Sequence, residues 1–85
     1  MKQVSIVIPV KNEAVLLQTN IGLLVQHLTK IGFHFEIIIV ENGSIDNTLA
    51  IAHALAASDH RIKVLSLQEA LFGEAIKVGC MQALY

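Results

Sequence analysis

The sequence predicts an α/β protein built on a parallel sheet, and three observations carry that expectation. Short β-branched runs alternate three times with segments of helical periodicity. One of those runs, residues 37–40, is apolar at every position, which in a strand means burial on both faces. Composition agrees: 54% of the 85 residues are hydrophobic and only 15% charged. That apolar surface offsets the entropy of ordering and argues against intrinsic disorder.

The first element is Val4-Ser5-Ile6-Val7-Ile8-Pro9-Val10, short and β-branched. Pro9 withholds a ladder donor, so the strand is expected to stop there. Residues 13–31 then change period, with Leu17, Ile21, Leu24, Leu28 and Ile31 on one helical stripe and Gln18, Gln26 and Lys30 off it. Gly32 stands where a helix C-terminal glycine belongs. The second strand is Phe35-Glu36-Ile37-Ile38-Ile39-Val40. Asn42-Gly43-Ser44 supplies turn chemistry, and Asp46-Asn47-Thr48 offers cap oxygens to the next helix, expected over residues 49–57. That helix is rich in alanine and therefore thin enough to approach the sheet closely. Ser58-Asp59-His60 breaks it. Ile62-Lys63-Val64-Leu65-Ser66-Leu67 alternates, as an edge strand with one face partly wet would. From Gly73 onward the pattern is helical again, with Ile76, Cys80 and Ala83 on one side.

Helices of this length between strands imply right-handed crossovers and a three-layer α/β/α, Rossmann-like parallel sheet of three β-α units. The expected order sets strand one between strand two and whatever follows, with strand three outermost. Nothing follows within residues 1–85, so strand one is expected to present an unpaired apolar edge. The same 85 residues read as one partial domain, the interior half of a larger sheet.

Several classes are disfavoured. Six basic and seven acidic residues, net −1, are scattered singly and give no footprint for nucleic acid or an anionic membrane. No apolar stretch approaches the ~20 residues of a membrane span. Pro9 and Lys11 interrupt the first apolar run before it reaches signal-peptide length. The single cysteine, Cys80, forms no internal disulfide, which makes a cytoplasmic setting the expectation. His27, His34, His53 and His60 lack the spacing of a zinc site. Cys80 reads as a small core residue.

In open parallel sheets, ligands bind beyond the carboxyl ends of the strands, where strand order reverses. That rule selects Pro9-Val10-Lys11-Asn12-Glu13 and Glu41-Asn42-Gly43-Ser44-Ile45-Asp46, two polar clusters that close apolar strands. Their carboxylates and amides suit ribose hydroxyls and the N–H edge of a nucleobase. Neither the dinucleotide fingerprint nor the P-loop pattern is present.

At these residues the sequence resembles family 2 glycosyltransferases. Residues 4–13 resemble the opening strand of that family, an apolar run followed by Pro-x-x-Asn-Glu. Residues 36–48 are similar to its second signature, commonly Val-Asp-Asp-Gly-Ser-x-Asp-x-Thr. Arg61-Ile62-Lys63-Val64 and Gly73-Glu74-Ala75-Ile76-Lys77-Val78-Gly79 match the third strand and following helix more loosely. The resemblance covers nearly the whole chain and leans toward the dolichyl-phosphate mannosyltransferase-like branch. It implies the N-terminal half of a GT-A fold, a nucleotide-diphosphate sugar as partner, and transfer to a hydroxyl or lipid-phosphate acceptor in a full-length relative. It assigns Pro9, Lys11 and Glu13 to the nucleotide pocket after strand one, and Val40, Glu41 and Asn42 to base and ribose after strand two.

Some positions depart from the pattern. Asn42 and Glu41 stand where aspartates are usual, Lys11 replaces a frequent tyrosine, and Lys77 a frequent arginine. The family's Asp-x-Asp metal motif has no counterpart in residues 69–85. The resemblance therefore places Mg or Mn only in a full-length relative, with no cofactor, metal ligand or catalytic residue in this chain. A chain ending before that motif is expected to be inactive alone. Two other readings remain open. Glu13 suits the positive end of a helix dipole whether or not it meets a nucleotide. The whole chain could also be a non-catalytic module that completes its sheet with a partner or a second copy.

Overall fold

The computed structural model describes residues 2–67 together with Cys80 and Ala83. Five elements follow in order: β1 (Gln3–Val10), α1 (Ala14–Lys30), β2 (His34–Asn42), α2 (Thr48–Ser58) and β3 (Ile62–Leu67). The strands form one parallel sheet in the order β1-β2-β3. The α/β class and the Rossmann-like β-α-β-α-β succession are as the sequence predicts. Gly73, Ile76, Lys77 and the rest of the expected third helix lie outside the described residues, Cys80 and Ala83 excepted.

Two successive crossovers in one direction put α1 and α2 on the same face of the sheet. There Leu17, Ile21 and Leu28 of α1 and Ala52 of α2 pack with Val10, Phe35, Ile37, Ile39 and Ile62. On the opposite face Ile38 and Val40 pack with Val7, Leu65, Leu67 and Ala83. Residues 37–40 are all 0% exposed, so the unbroken apolar run marks a central strand covered on both sides. Each of those side chains contributes roughly 1.5–3 kcal/mol by burial.

Local chemistry sets the boundaries. α1 ends in a paired glycine turn: Gly32, at φ +81°, donates to the Thr29 carbonyl at 3.1 Å, and Phe33 donates to that of Leu28 at 3.1 Å. Phe33 then packs against the cluster that holds Leu28, completing the motif. At the end of α2 the chain turns extended at Asp59, whose carboxylate takes the fork of Arg61 at 3.0 and 2.8 Å. Arg61 also lies over the Phe35 ring, 4.4 Å from its centre.

Three expectations need correction. β1 does not stop at Pro9 but pairs through Val10 with Glu41; an edge strand has a side on which a missing N–H costs nothing. Ile31 does not extend the buried stripe. It is the C-terminal cap of α1, beyond the last turn that faces the sheet, and is exposed. Cys80 is exposed rather than a core residue, while Ala83 packs against Ile38 and Val40.

Candidate functional site

The carboxyl ends of β1 and β2 are adjacent in register, Pro9 beside Val40 and Val10 beside Glu41. The loops leaving them are joined to each other. Asn12 donates its N–H to Ser44 Oγ at 3.0 Å and accepts the Ile45 N–H on Oδ1 at 2.9 Å. It does so at φ +53°, a left-handed conformation that asparagine tolerates better than most residues. Glu13 donates its N–H to Thr48 Oγ1 at 2.8 Å, and Ala14 donates to Asp46 Oδ2 at 3.3 Å. Three consecutive N–H groups at the start of α1 are thus held by Ser44, Thr48 and Asp46 of the following loop.

That second loop is braced from within. Asp46 Oδ1 accepts the Thr48 N–H at 3.0 Å and also the Thr48 hydroxyl. The Thr48 hydroxyl leads the bonds that hold the Asp46 carboxyl below its usual pKa, with the N–H groups of Thr48 and Ala14 adding to it against some desolvation. Glu41, 2% exposed, accepts the Ser44 N–H on one oxygen and the Ser66 hydroxyl on the other at 2.8 Å. Burial pushes its carboxyl up, but the Ser44 and Ser66 bonds outweigh that and leave the pKa lowered. Gly43, at φ +65°, makes the bend between Glu41 and Ser44.

The predicted site residues fall into distinct places. Pro9 and Glu13 line one cleft of about 310 Å³ with Ile8, Val10, Leu17 and Asn20, between the end of β1 and α1. Glu13 and Lys11 are exposed, and Lys11 stands outside that lining. Val40 is wholly buried on the face away from the helices. Glu41 faces the helix side with its carboxylate engaged, and half-buried Asn42 ends β2 beside Leu67. The cleft therefore brings together Pro9 and Glu13 but not Val40, Glu41 or Asn42.

Sequence reasoning missed the direction of the caps. Asn47, the cap residue of α2, makes no side-chain cap bond; Asp46 accepts the Thr48 N–H instead, and Thr48 and Asp46 also accept the Glu13 and Ala14 N–H groups at the start of α1. The alternate spacing of Ser44, Asp46 and Thr48 against three consecutive donors at positions 12–14 is the signal that could have found it. No group of three His, Cys, Asp or Glu side chains that could hold a metal occurs among the described residues. Nor is any helix among them long and apolar enough to cross a membrane.

Among the described residues this is a three-stranded parallel α/β sheet, Rossmann-like in its succession, with two interlocked polar loops at the carboxyl ends of adjacent strands. The family model described as glycosyl transferase family 2 matches residues 5–84, and the chain belongs to that family. Among curated proteins no match was found.

Proposed function

We propose that this chain holds the nucleoside diphosphate part of a sugar nucleotide, as the N-terminal portion of a GT-A-type glycosyltransferase. The observation that carries the reading is the interlocked pair of loops at the ends of β1 and β2, beside the cleft shared by Pro9 and Glu13. In this reading Glu13 accepts from ribose hydroxyls, the Asn42 amide pairs with the base, and Lys11 meets the diphosphate. Val40 supplies the buried floor. Glu41 acts through the Ser44 turn that its carboxylate holds. The acceptor is a hydroxyl or a lipid phosphate, the setting is cytoplasmic, and no step is assigned to a metal on these residues.

Calorimetry on the folded full chain with UDP-glucose, GDP-mannose, UDP and GDP tests this. The expected result is binding of one base in the range of about 0.01–1 mM, or about −7 to −4 kcal/mol. It should weaken in Lys11→Ala and Glu13→Gln. A sample with α/β circular dichroism and no heat for any of the four at millimolar ligand overturns it.

A second reading is favoured by one observation: among the described residues β1 is an edge strand, and its Val4, Ile6, Val7 and Ile8 are only half-buried. Such an edge templates pairing with another chain. Sedimentation should then give dimers or larger species, and a monomer at high concentration refutes it.

A further inference from the structure

We propose that Asp46 and Thr48 are positioning residues of the nucleotide crevice, acting through the backbone of Glu13 and Ala14; this rests on the nucleotide-binding reading above. A cap residue ordinarily serves the helix it precedes. Thr48 is the first residue of α2, yet its hydroxyl accepts the N–H of Glu13, 35 positions earlier. Asp46 divides its carboxylate in the same way, one oxygen on Thr48 and the other on Ala14.

The consequence for Glu13 is chemical. Glu13 is the N-terminal cap residue of α1 but makes no side-chain cap bond, and α1 has no acid in its first turn. The Glu13 and Ala14 N–H groups are taken by the neighbouring loop and its helix instead, and the exposed Glu13 carboxylate makes no cap bond at the rim of the cleft. Thr48 makes the arrangement stiff. It is 0% exposed, and its hydroxyl accepts from Glu13 while donating to Asp46, which leaves one rotamer that serves both. The wall carrying Glu13 and the wall carrying Asn42 are therefore set relative to each other by these two side chains. Small displacements of a binding group cost affinity steeply.

Thr48→Val keeps the buried shape and deletes the hydroxyl, Thr48→Ser keeps the hydroxyl, and Asp46→Ala removes the carboxylate from an exposed position. Amide exchange of each full-length variant is read by NMR without ligand, and nucleotide affinity by calorimetry with UDP and GDP. Thr48→Val is expected to speed exchange of the Glu13 amide about tenfold, with amides 37–40 unchanged and Thr48→Ser restoring protection. Asp46→Ala is expected to do the same at Ala14. Nucleotide affinity should fall about fivefold or more in Thr48→Val and Asp46→Ala, and recover in Thr48→Ser. Unchanged exchange at Glu13 and Ala14 overturns the proposal, as does equal acceleration across 37–40. So does full nucleotide affinity in variants with loosened amides. A wild-type chain that binds neither nucleotide instead overturns the nucleotide reading itself, which separates the two failures.

Discussion

Replacing Glu41 should reveal whether a buried carboxylate holds the second loop. Its two oxygens receive the Ser44 N–H and the Ser66 hydroxyl in a nearly dry setting. Hydrogen bonds to a charged group contribute about 1.5–3 kcal/mol each, before the cost of burying the charge is set against them. Glu41→Gln can aim its carbonyl at the fixed Ser44 N–H and its amide at the Ser66 hydroxyl, which rotates to accept. Both bonds survive without charge assistance, and a loss of about 1–2 kcal/mol follows. Glu41→Ala leaves the Ser44 N–H without that acceptor and opens a cavity, for a loss of about 3–4 kcal/mol. In a chain of this size, stable by roughly 4–13 kcal/mol, both are large. Urea unfolding reads them, with the glutamine variant shifting its midpoint by about 1 M.

The pH dependence has a definite sign. In the folded protein the Ser44 and Ser66 hydrogen bonds, set against burial, hold the Glu41 carboxyl below its ordinary pKa of 4.5. Its contribution is therefore complete above that value and is lost as pH falls through the lower, folded pKa. The deficit of Glu41→Gln relative to wild type should accordingly shrink below pH 4.5. A deficit that is constant or grows on acidification, or an alanine variant no worse than glutamine, refutes the reasoning.

Other outcomes follow from the packing. Ile39→Ala, at 0% exposure, should cost about 3–5 kcal/mol in urea, whereas Val15→Ala, at 90%, should stay within about 0.5 kcal/mol; similar costs would mean that the burial is wrong. Gly32→Ala and Gly22→Ala should move stability in opposite directions although an added Cβ meets nothing within 4 Å at either. The first forces φ +81° on alanine and loses about 1–2 kcal/mol; the second removes a glycine from a helix and gains about 0.5–1 kcal/mol. Arg61→Lys loses the fork on Asp59 and the Phe35 ring contact, about 1 kcal/mol, and should lower Tm by about 4–8 °C.

What could be read from the sequence was what local pattern determines. The Ile37–Ile38–Ile39–Val40 run has one explanation as a strand, burial on both faces, and Gly32 has one as a helix terminator. β3 was legible to the residue. Pro9 misled because a missing donor matters only where a partner is present, and edge position is a property of the whole sheet. Ile31 and Cys80 misled because periodicity says which residues share a stripe and not how far the packed surface reaches. The caps on α1 stayed hidden for a different reason. Their bonds span 32 to 35 positions, and from sequence a cap oxygen is assigned to the nearest helix start.

The caps on α1 divide the residues of the two signatures into two kinds. Glu41, Ser44, Asp46 and Thr48 spend their hydrogen-bonding capacity on the protein: on the turn, on β3, and on the start of α1. A ligand reaching those atoms would have to share them with bonds that hold the two loops together. Lys11 and Glu13 are exposed, and Glu13 makes no side-chain cap bond. In this chain the Ser44, Asp46 and Thr48 part of the second signature thus answers a construction requirement. Side chains at alternate positions must meet three consecutive N–H groups of another loop, and few residue types at those positions can accept there. The groups that this bracing leaves at the surface beside β1 are the Lys11 ammonium and the Glu13 carboxylate.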